Sequence, residues 1–470
     1  MKKIFLTTAA FALLAVSSIA LIPTKAEALP AFARQTGAAC LSCHFQTFPA
    51  LKAFGREFMF NSFTDVGDEA LVEDENLSIP AVLNMSMDVV ATAEHNTGDG
   101  VASTTAYTIP DNARLFIAGR IGEHSGAFIM FTGGSDGNSF MNVAPTPVWM
   151  FLNSIRLNDD WQVGLGIHKS PWGASNAMEV SNVFGHRGDK LAGQDVSAIK
   201  AAGFTKMTTG MGVWARYQDL GYVQVAAVAP AGLTTGVADV GTRFGLLLRA
   251  VATLDINDWD TLIGFGYVTG TAGKGGAGLA NGAGTSSGPL NGPNRGMMGN
   301  FPIENARIPM NLQFVDVQTQ GEIGDMSVGV YGDWAHAAGR TSTSGAGNFY
   351  GSPGIPPFFN SGFGDPAGPS GQFNTVGKTF DAYSIRAEVE PINRFLFGIG
   401  YGYRRLQDPA TGDIKAQTFQ VAATYKIYQN MDVNFVFDNV KTTDPTGKLS
   451  GSGLTSFTNR TTVLSVEALM

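Results

Sequence analysis

The chain has 470 residues and a net charge of −8, with 44% apolar, only 15% charged, 59 glycine and 32 phenylalanine residues. The acidic balance excludes a nucleic-acid binder, which needs a basic face; low charge with many aromatics excludes a disordered chain, and no triplet period suggests collagen. An apolar run of about 20 residues, which a helical membrane protein repeats, occurs once, at the N-terminus, so the rest points to strands that are half apolar and half polar.

Lys2 and Lys3 precede an apolar stretch over 4–22 that Pro23 breaks, and Ala26-Glu27-Ala28 offers small residues where a signal peptidase reads. Residues 1–28 are expected to be a secretory signal peptide, cleaved before Leu29, rather than an uncleaved anchor helix. The mature chain then carries a charge of −10 over 442 residues.

The two cysteines of the chain, Cys40 and Cys43, are followed at once by His44. Cys-x-x-Cys-His is the attachment signature of c-type haem: two thiols at this spacing add to the vinyl groups of one haem, and the adjacent imidazole reaches the iron on its proximal side. A Cys40–Cys43 disulfide leaves His44 without a role. A thioredoxin-type pair wants a βαβ setting, and a zinc site wants a second ligand pair. One covalent haem c, held by Cys40, Cys43 and His44, is the expectation.

Pro49 opens a predicted helix after Thr47, with Leu51, Phe54 and Phe58 on one face and Lys52, Arg56 and Glu57 on the other. Phe48, Leu51, Phe54 and Phe58 read both as a small apolar core and as the haem's apolar wall. Residues 29–76, the expected cytochrome module, are too few for a stable independent core, so haem attachment and docking against something larger are expected to stabilise them. A Met or His is the usual sixth ligand of an electron-transfer haem. Met59 is the favoured candidate, with His95 or an open position as rivals; Met85 and Met87 fall on the lipid side of the first strand.

From Ala81 onward the dominant period is two, as in Leu83, Met85, Met87, Val89, Ala91 and Ala93, or Phe395, Phe397, Ile399, Tyr401 and Tyr403. Such runs fit strands with one face on lipid and one on a polar lumen. Strands are predicted near 82–94, 112–121, 127–133, 147–157, 160–168, 209–218, 221–229, 241–254, 259–271, 309–319, 326–336, 379–390, 393–406, 414–427, 431–441 and 460–470. A soluble sandwich would alternate in the same way, but the connections run short and long in turn, as in outer-membrane barrels. The count of 16 is even, with 14 or 18 as alternatives; segment 197–204, counted as a strand, would break the parity. Glycine divides between lumen-facing strand positions and the long connections, notably 272–300 and 337–371. The expected fold is all-β: an outer-membrane barrel over 77–470 with a small helical module plugging its lumen.

Residues 29 to about 83 resemble the N-terminus of the fused cytochrome–porin proteins of iron-oxidising bacteria. The matching residues are Pro30, Phe32-Ala33-Arg34-Gln35-Thr36-Gly37, Cys40-Leu41-Ser42-Cys43-His44, Phe48-Pro49, Leu51, Phe54-Gly55-Arg56, Phe58 and Leu77-Ser78-Ile79-Pro80. The match covers roughly an eighth of the chain; over the barrel the likeness is one of architecture and length. The resemblance implies a one-haem module before an outer-membrane barrel of about 16 strands, and oxidation of extracellular Fe(II). A Lys after Phe58 and a Gly-Tyr pair near 62–63 are expected from it; Met59 and Ser62-Phe63 stand there instead, which leaves donor and haem potential open.

The expected function is electron transfer between an extracellular donor, Fe(II) first, and a periplasmic c-type cytochrome or other carrier, an oxidoreductase activity through one haem. The alternatives are a solute porin with a structural haem, and a conduit for a non-iron donor or for outward transfer. Inward-pointing Arg114, Arg243, Arg249 and Arg404 read as the charged lining of a porin, and no His or acidic cluster in the loops marks an iron site.

Overall fold

Alternating apolar and polar residues can satisfy a strand only where its two faces meet different surroundings, and here those faces are the inside and outside of a ring. The computed structural model describes residues 30–46, 50–67, 69–75, 77–133, 148–169, 198–201, 209–229, 244–273, 307–337, 379–407, 412–445 and 453–470. Sixteen strands close into one antiparallel barrel: β3 (Met85–Gly98), β4 (Val101–Gly122), β5 (Ser125–Gly133), β6 (Val148–Arg156), β7 (Trp161–Lys169), β8 (Thr209–Tyr217), β9 (Gly221–Ala229), β10 (Gly245–Ile256), β11 (Trp259–Gly273), β12 (Arg307–Ile323), β13 (Met326–Ala337), β14 (Thr379–Ile392), β15 (Phe395–Gln407), β16 (Ile414–Tyr428), β17 (Met431–Thr443) and β18 (Ser456–Leu469). Each pairs with its sequence neighbours, and β18 returns to pair with β3 from Asn459↔Gly98 to Leu469↔Asp88. Closure removes every unpaired edge, which is what lets a sheet cross a bilayer.

One end carries only tight turns, such as Glu123-His124, Asn257-Asp258 and Gln429-Asn430. The other carries the long connections. Outward positions are apolar and exposed, among them Leu165, Met211, Val225, Leu246, Leu248, Phe265, Ile385, Phe397, Ile399 and Phe435. Tyr383, Tyr401 and Tyr403 stack toward the long-connection end, and Trp161 with Tyr217 at the tight-turn end. An apolar belt with aromatic residues at both margins is the outer surface a bilayer covers. Met85 and Met87 belong to this outward face.

Two predictions are corrected. Residues 95–111, left between strands, continue β3 and β4 to a turn at Asp99-Gly100. Above the apolar belt both faces meet water, so Thr104, Thr105 and Thr108 keep the pairing without alternating, and Pro110 sits at the irregularity between Val90 and Thr92, where a strand tolerates a missing N–H. Within 197–204, Ala198–Ala201 is a one-turn helix inside the lumen, labelled α4 below, and the even parity stands.

Ahead of the barrel come α1 (Pro30–Thr36), α2 (Cys40–Cys43) and α3 (Ala53–Phe60), then a hairpin of β1 (Leu71–Asp74) and β2 (Leu77–Pro80). The expected boundary at 76/77 thus falls in the turn of that hairpin. Residues 30–67 bind inward-facing groups of the barrel at its tight-turn end. Phe58, Met59, Phe60 and Phe63 cluster with Leu152, Trp214, Tyr222, Val251 and Leu262, Phe60 meeting Trp214 at 5.0 Å and Tyr222 at 5.1 Å, edge on. Each buried aromatic there contributes about 1.5–3 kcal/mol. Arg56 forks onto Asp260 with both bonds at 2.7 Å, and Glu57 accepts from Arg156 and Arg216. Arg56 and Glu57, read as a separate polar side of the helix, are therefore docking groups.

Higher in the lumen, Ala198 and Ile199 of α4 pack with inward Val228, Leu247, Phe314, Ala335 and Phe380. Their backbone N–H groups donate to the two oxygens of Asp333 at 3.0 and 3.1 Å. This one turn of the β7–β8 connection is therefore tied to the barrel wall from inside.

Candidate functional site

The Cys-x-x-Cys-His segment folds as one helical turn because the chain doubles back beneath it. The His44 N–H donates to the Cys40 carbonyl (2.9 Å), Lys52 N–H to the Cys43 carbonyl (2.9 Å) and Phe45 N–H to the Ala50 carbonyl (2.7 Å). His44 and Leu51 form an isolated bridge. Helix α3 then lies against the turn at Gly55, where any Cβ would run into the Cys43 carbonyl. That contact is why glycine is required inside this helix, at a cost of about 1 kcal/mol in helix propensity.

Cys40 is buried, Cys43 half-buried, and the two are not joined in a disulfide. Burial pushes the Cys43 thiol up from its ordinary value. Two thiols one turn apart and an imidazole on the next residue fit the donor set of one covalent haem. Of the apolar wall, Leu51 is partly buried and Phe58 buried, with Phe32 meeting Phe58 edge on at 5.1 Å and stacking on Phe63 at 5.1 Å. Phe54 is 50% exposed. Phe48 lies outside the described residues.

Met59 stands one turn beyond Gly55, the helical spacing that repeats a face, and is buried in the cluster that joins the segment to the barrel. His95 is on the outward face near the other end of β3, hydrogen-bonded to Thr105 Oγ1 at 2.8 Å. Ten residues of strand, about 33 Å, separate it from Met85, whose carbonyl accepts from Arg34. It cannot serve as the sixth ligand.

Of the four arginines read as inward, Arg114, Arg249 and Arg404 face the lumen. Arg114 pairs with Asp88 and Glu467. Arg249 pairs with Asp316 across Gly264 and lies 5.2 Å over the Phe314 ring; Arg404 is buried, and Arg243 lies outside the described residues. Sequence reading passed over the floor beneath the motif. Phe45 and Ala50 pack on Tyr331, a fully buried residue of β13. Lys426 donates to the Gln46 carbonyl at 2.9 Å while pairing with Glu390 at 2.7 Å, and Gln46 Nε2 donates to the Ser327 carbonyl at 2.7 Å. Ser384, Arg386, Glu388 and Glu390 alternate along β14, and that run of inward polar groups was the available signal.

A closed sixteen-stranded barrel with its tight-turn end occupied by the N-terminal segment is a porin-type architecture. No family model matches the sequence, and no curated protein does. Among solved structures it is similar to the anion-selective porin from Comamonas acidovorans, at 9% identity and TM-score 0.47 over 83% of this chain and 99% of that one. It is also similar to the outer membrane channel DcaP of Acinetobacter baumannii, at 12% identity and TM-score 0.46 over 83% of this chain and 97% of that one. A third is a loop L8 deletion mutant of OmpT, an outer membrane protein of Vibrio cholerae, at 11% identity and TM-score 0.42 over 82% and 99%.

Proposed function

We propose that the chain is an outer-membrane monohaem cytochrome–porin that passes electrons between an extracellular donor, Fe(II) first, and a periplasmic c-type cytochrome. The observation that carries this reading is the Cys40–His44 turn held inside the tight-turn end of a closed barrel by Arg56–Asp260, Glu57–Arg216 and the Phe60 cluster. In this reading the tight turns face the periplasm, the signal peptide exports the chain, and residues 29–76 plug the lumen. Cys40 and Cys43 would hold haem c covalently and His44 would bind its iron, with Met59 as the candidate sixth ligand. When bound, haem c supplies a one-electron iron couple. The protein's part is to exclude water with Phe32, Phe58 and Phe63, to fix His44 through its bridge to Leu51 and the Phe45–Ala50 bond, and to keep the turn rigid against Gly55.

A haem stain on a denaturing gel should be positive and should vanish in Cys43→Ala. Stopped-flow mixing of the purified protein with Fe(II) should then reduce it rapidly; slow or absent reduction by Fe(II), alongside ready reduction by a periplasmic cytochrome, overturns the direction proposed. A methionine-to-iron charge-transfer band that survives Met59→Ala removes that ligand.

The second reading is a solute porin in which haem is structural. The porin-type barrel and the paired arginines of its lumen, Arg114 and Arg249, favour it. Single-channel conductance separates the two: a plugged barrel conducts little, an open porin conducts well.

A further inference from the structure

Glu388 is a buried carboxylate that neither reading uses. It faces inward on β14, is 2% exposed, and its Oε1 has no hydrogen-bond partner among the described residues. Two residues earlier on the same face, Arg386 lies 5.8 Å over the Tyr331 ring. The Tyr331 hydroxyl accepts from Gln320 Nε2 at 3.3 Å and lies over Gly329, the register partner of Glu388, where a Cβ would crowd it at 2.7 Å. On Tyr331 rest Ala50 and Phe45, the latter next in the chain to His44. The next inward position is Glu390, bound to Lys426 at 2.7 Å. β15 offers Gly398 and Gly400, and β12 offers Gln318 and Gln320. The titratable or charged groups around Glu388 are thus Tyr331 and Arg386 and, at the next inward position, Glu390 with Lys426.

We propose that Glu388 is a redox-linked proton site: it takes one proton from solvent when the Cys40–Cys43–His44 centre gains an electron, and releases it when the electron leaves. The inference rests on the haem reading above. An added electron places one uncompensated negative charge in a low-dielectric interior, where such a charge is costly. A proton cancels it if some neighbour can accept one. Arg386 and Lys426 offer only donors, the Tyr331 hydroxyl already accepts from Gln320, and Glu390 is committed to Lys426. Glu388 is the remaining acceptor with an open oxygen. One electron from the external donor and one proton from water enter together, and both leave on reoxidation.

The test is the midpoint potential of the purified, haem-loaded protein by spectroelectrochemistry from pH 5 to 9. In the wild type the reduction equilibrium should change about tenfold per pH unit through part of that range, about 59 mV for a one-electron couple. Glu388→Gln should flatten the dependence, and Glu388→Asp should keep it, displaced along the pH axis. Redox-difference infrared spectra should show a carboxylic acid band in the wild type that Glu388→Gln lacks. An unchanged slope in Glu388→Gln, or a flat wild-type potential, overturns the proposal while leaving the haem reading intact. A negative haem stain overturns both, and is seen before any potential is measured.

Discussion

Asp65 holds its proton more tightly than an ordinary carboxyl, first because it is buried and then because Glu57 is near, against the lowering pull of the Asn61 hydrogen bonds, Arg156 and Arg120. A carboxyl of this kind favours the docked state most at low pH: its contribution is complete below the unfolded value and is lost as pH rises through the folded one. The N-terminal segment is therefore expected to bind its barrel less firmly as pH rises out of the acid range. Asp65→Asn should remove that dependence. Limited proteolysis of the segment between pH 4 and 7 measures it, and identical profiles for wild type and variant would clear Asp65 of the role. At this scale the sequence was only partly readable. The motif cysteines and His44 were plain because their spacing is chemical. The docking role of Arg56 was not, because helical spacing fixes which residues share a face, and only the partner element fixes which face is covered.

Helix α3 is held by ion pairs at its start and by aromatic packing at its end. The Arg56–Asp260 fork has its arginine nearly buried, with 8% exposure against 29% for the aspartate, so its loss is not softened by water as at a surface pair. Arg56→Ala should weaken docking by about 1.5–3 kcal/mol, the range for charge-assisted bonds, seen as faster protease cleavage within 30–67 with an intact barrel. For α4 the tether is Asp333, which also accepts from Ser384. Asp333→Ala removes the partner of two helix N–H groups, and single-channel recordings should show raised, noisier conductance. Conductance equal to the wild type would mean that the apolar packing of Ile199 suffices. Most strand ends were legible to within about four residues, because a ring with lipid outside enforces period two. The exceptions follow from the same physics: the tips of β3 and β4 stand clear of the belt, and α4 is too short to show a period.

For the whole molecule, the outward belt is the surface on which substitutions should be felt by depth. Ile399, outward and 56% exposed on β15, lies within the belt, and Ile399→Arg should destabilise folding into bilayers by about 2–4 kcal/mol, against about 0–1 for Thr104→Arg beyond it. Equal costs at both positions would argue that the belt is not lipid-covered. The parity of the strands, and with it the end of the barrel at which the N-terminal segment docks, could be read from connection lengths alone. The contacts that seat the segment could not, because they join residues such as Arg34 and Met85 or Gln46 and Lys426, 51 and 380 positions apart.

The seam between β18 and β3 has a further consequence, one of timing. Arg34 and Gln35 of α1 are stitched beside that seam, to the Met85 carbonyl and the Arg120 N–H, while the strand that completes it is the last to be made. The N-terminal segment is therefore synthesised hundreds of residues before the ring that encloses it exists. Any chemistry on its cysteines has that interval in which to occur on an open chain, and the barrel then closes around a finished part.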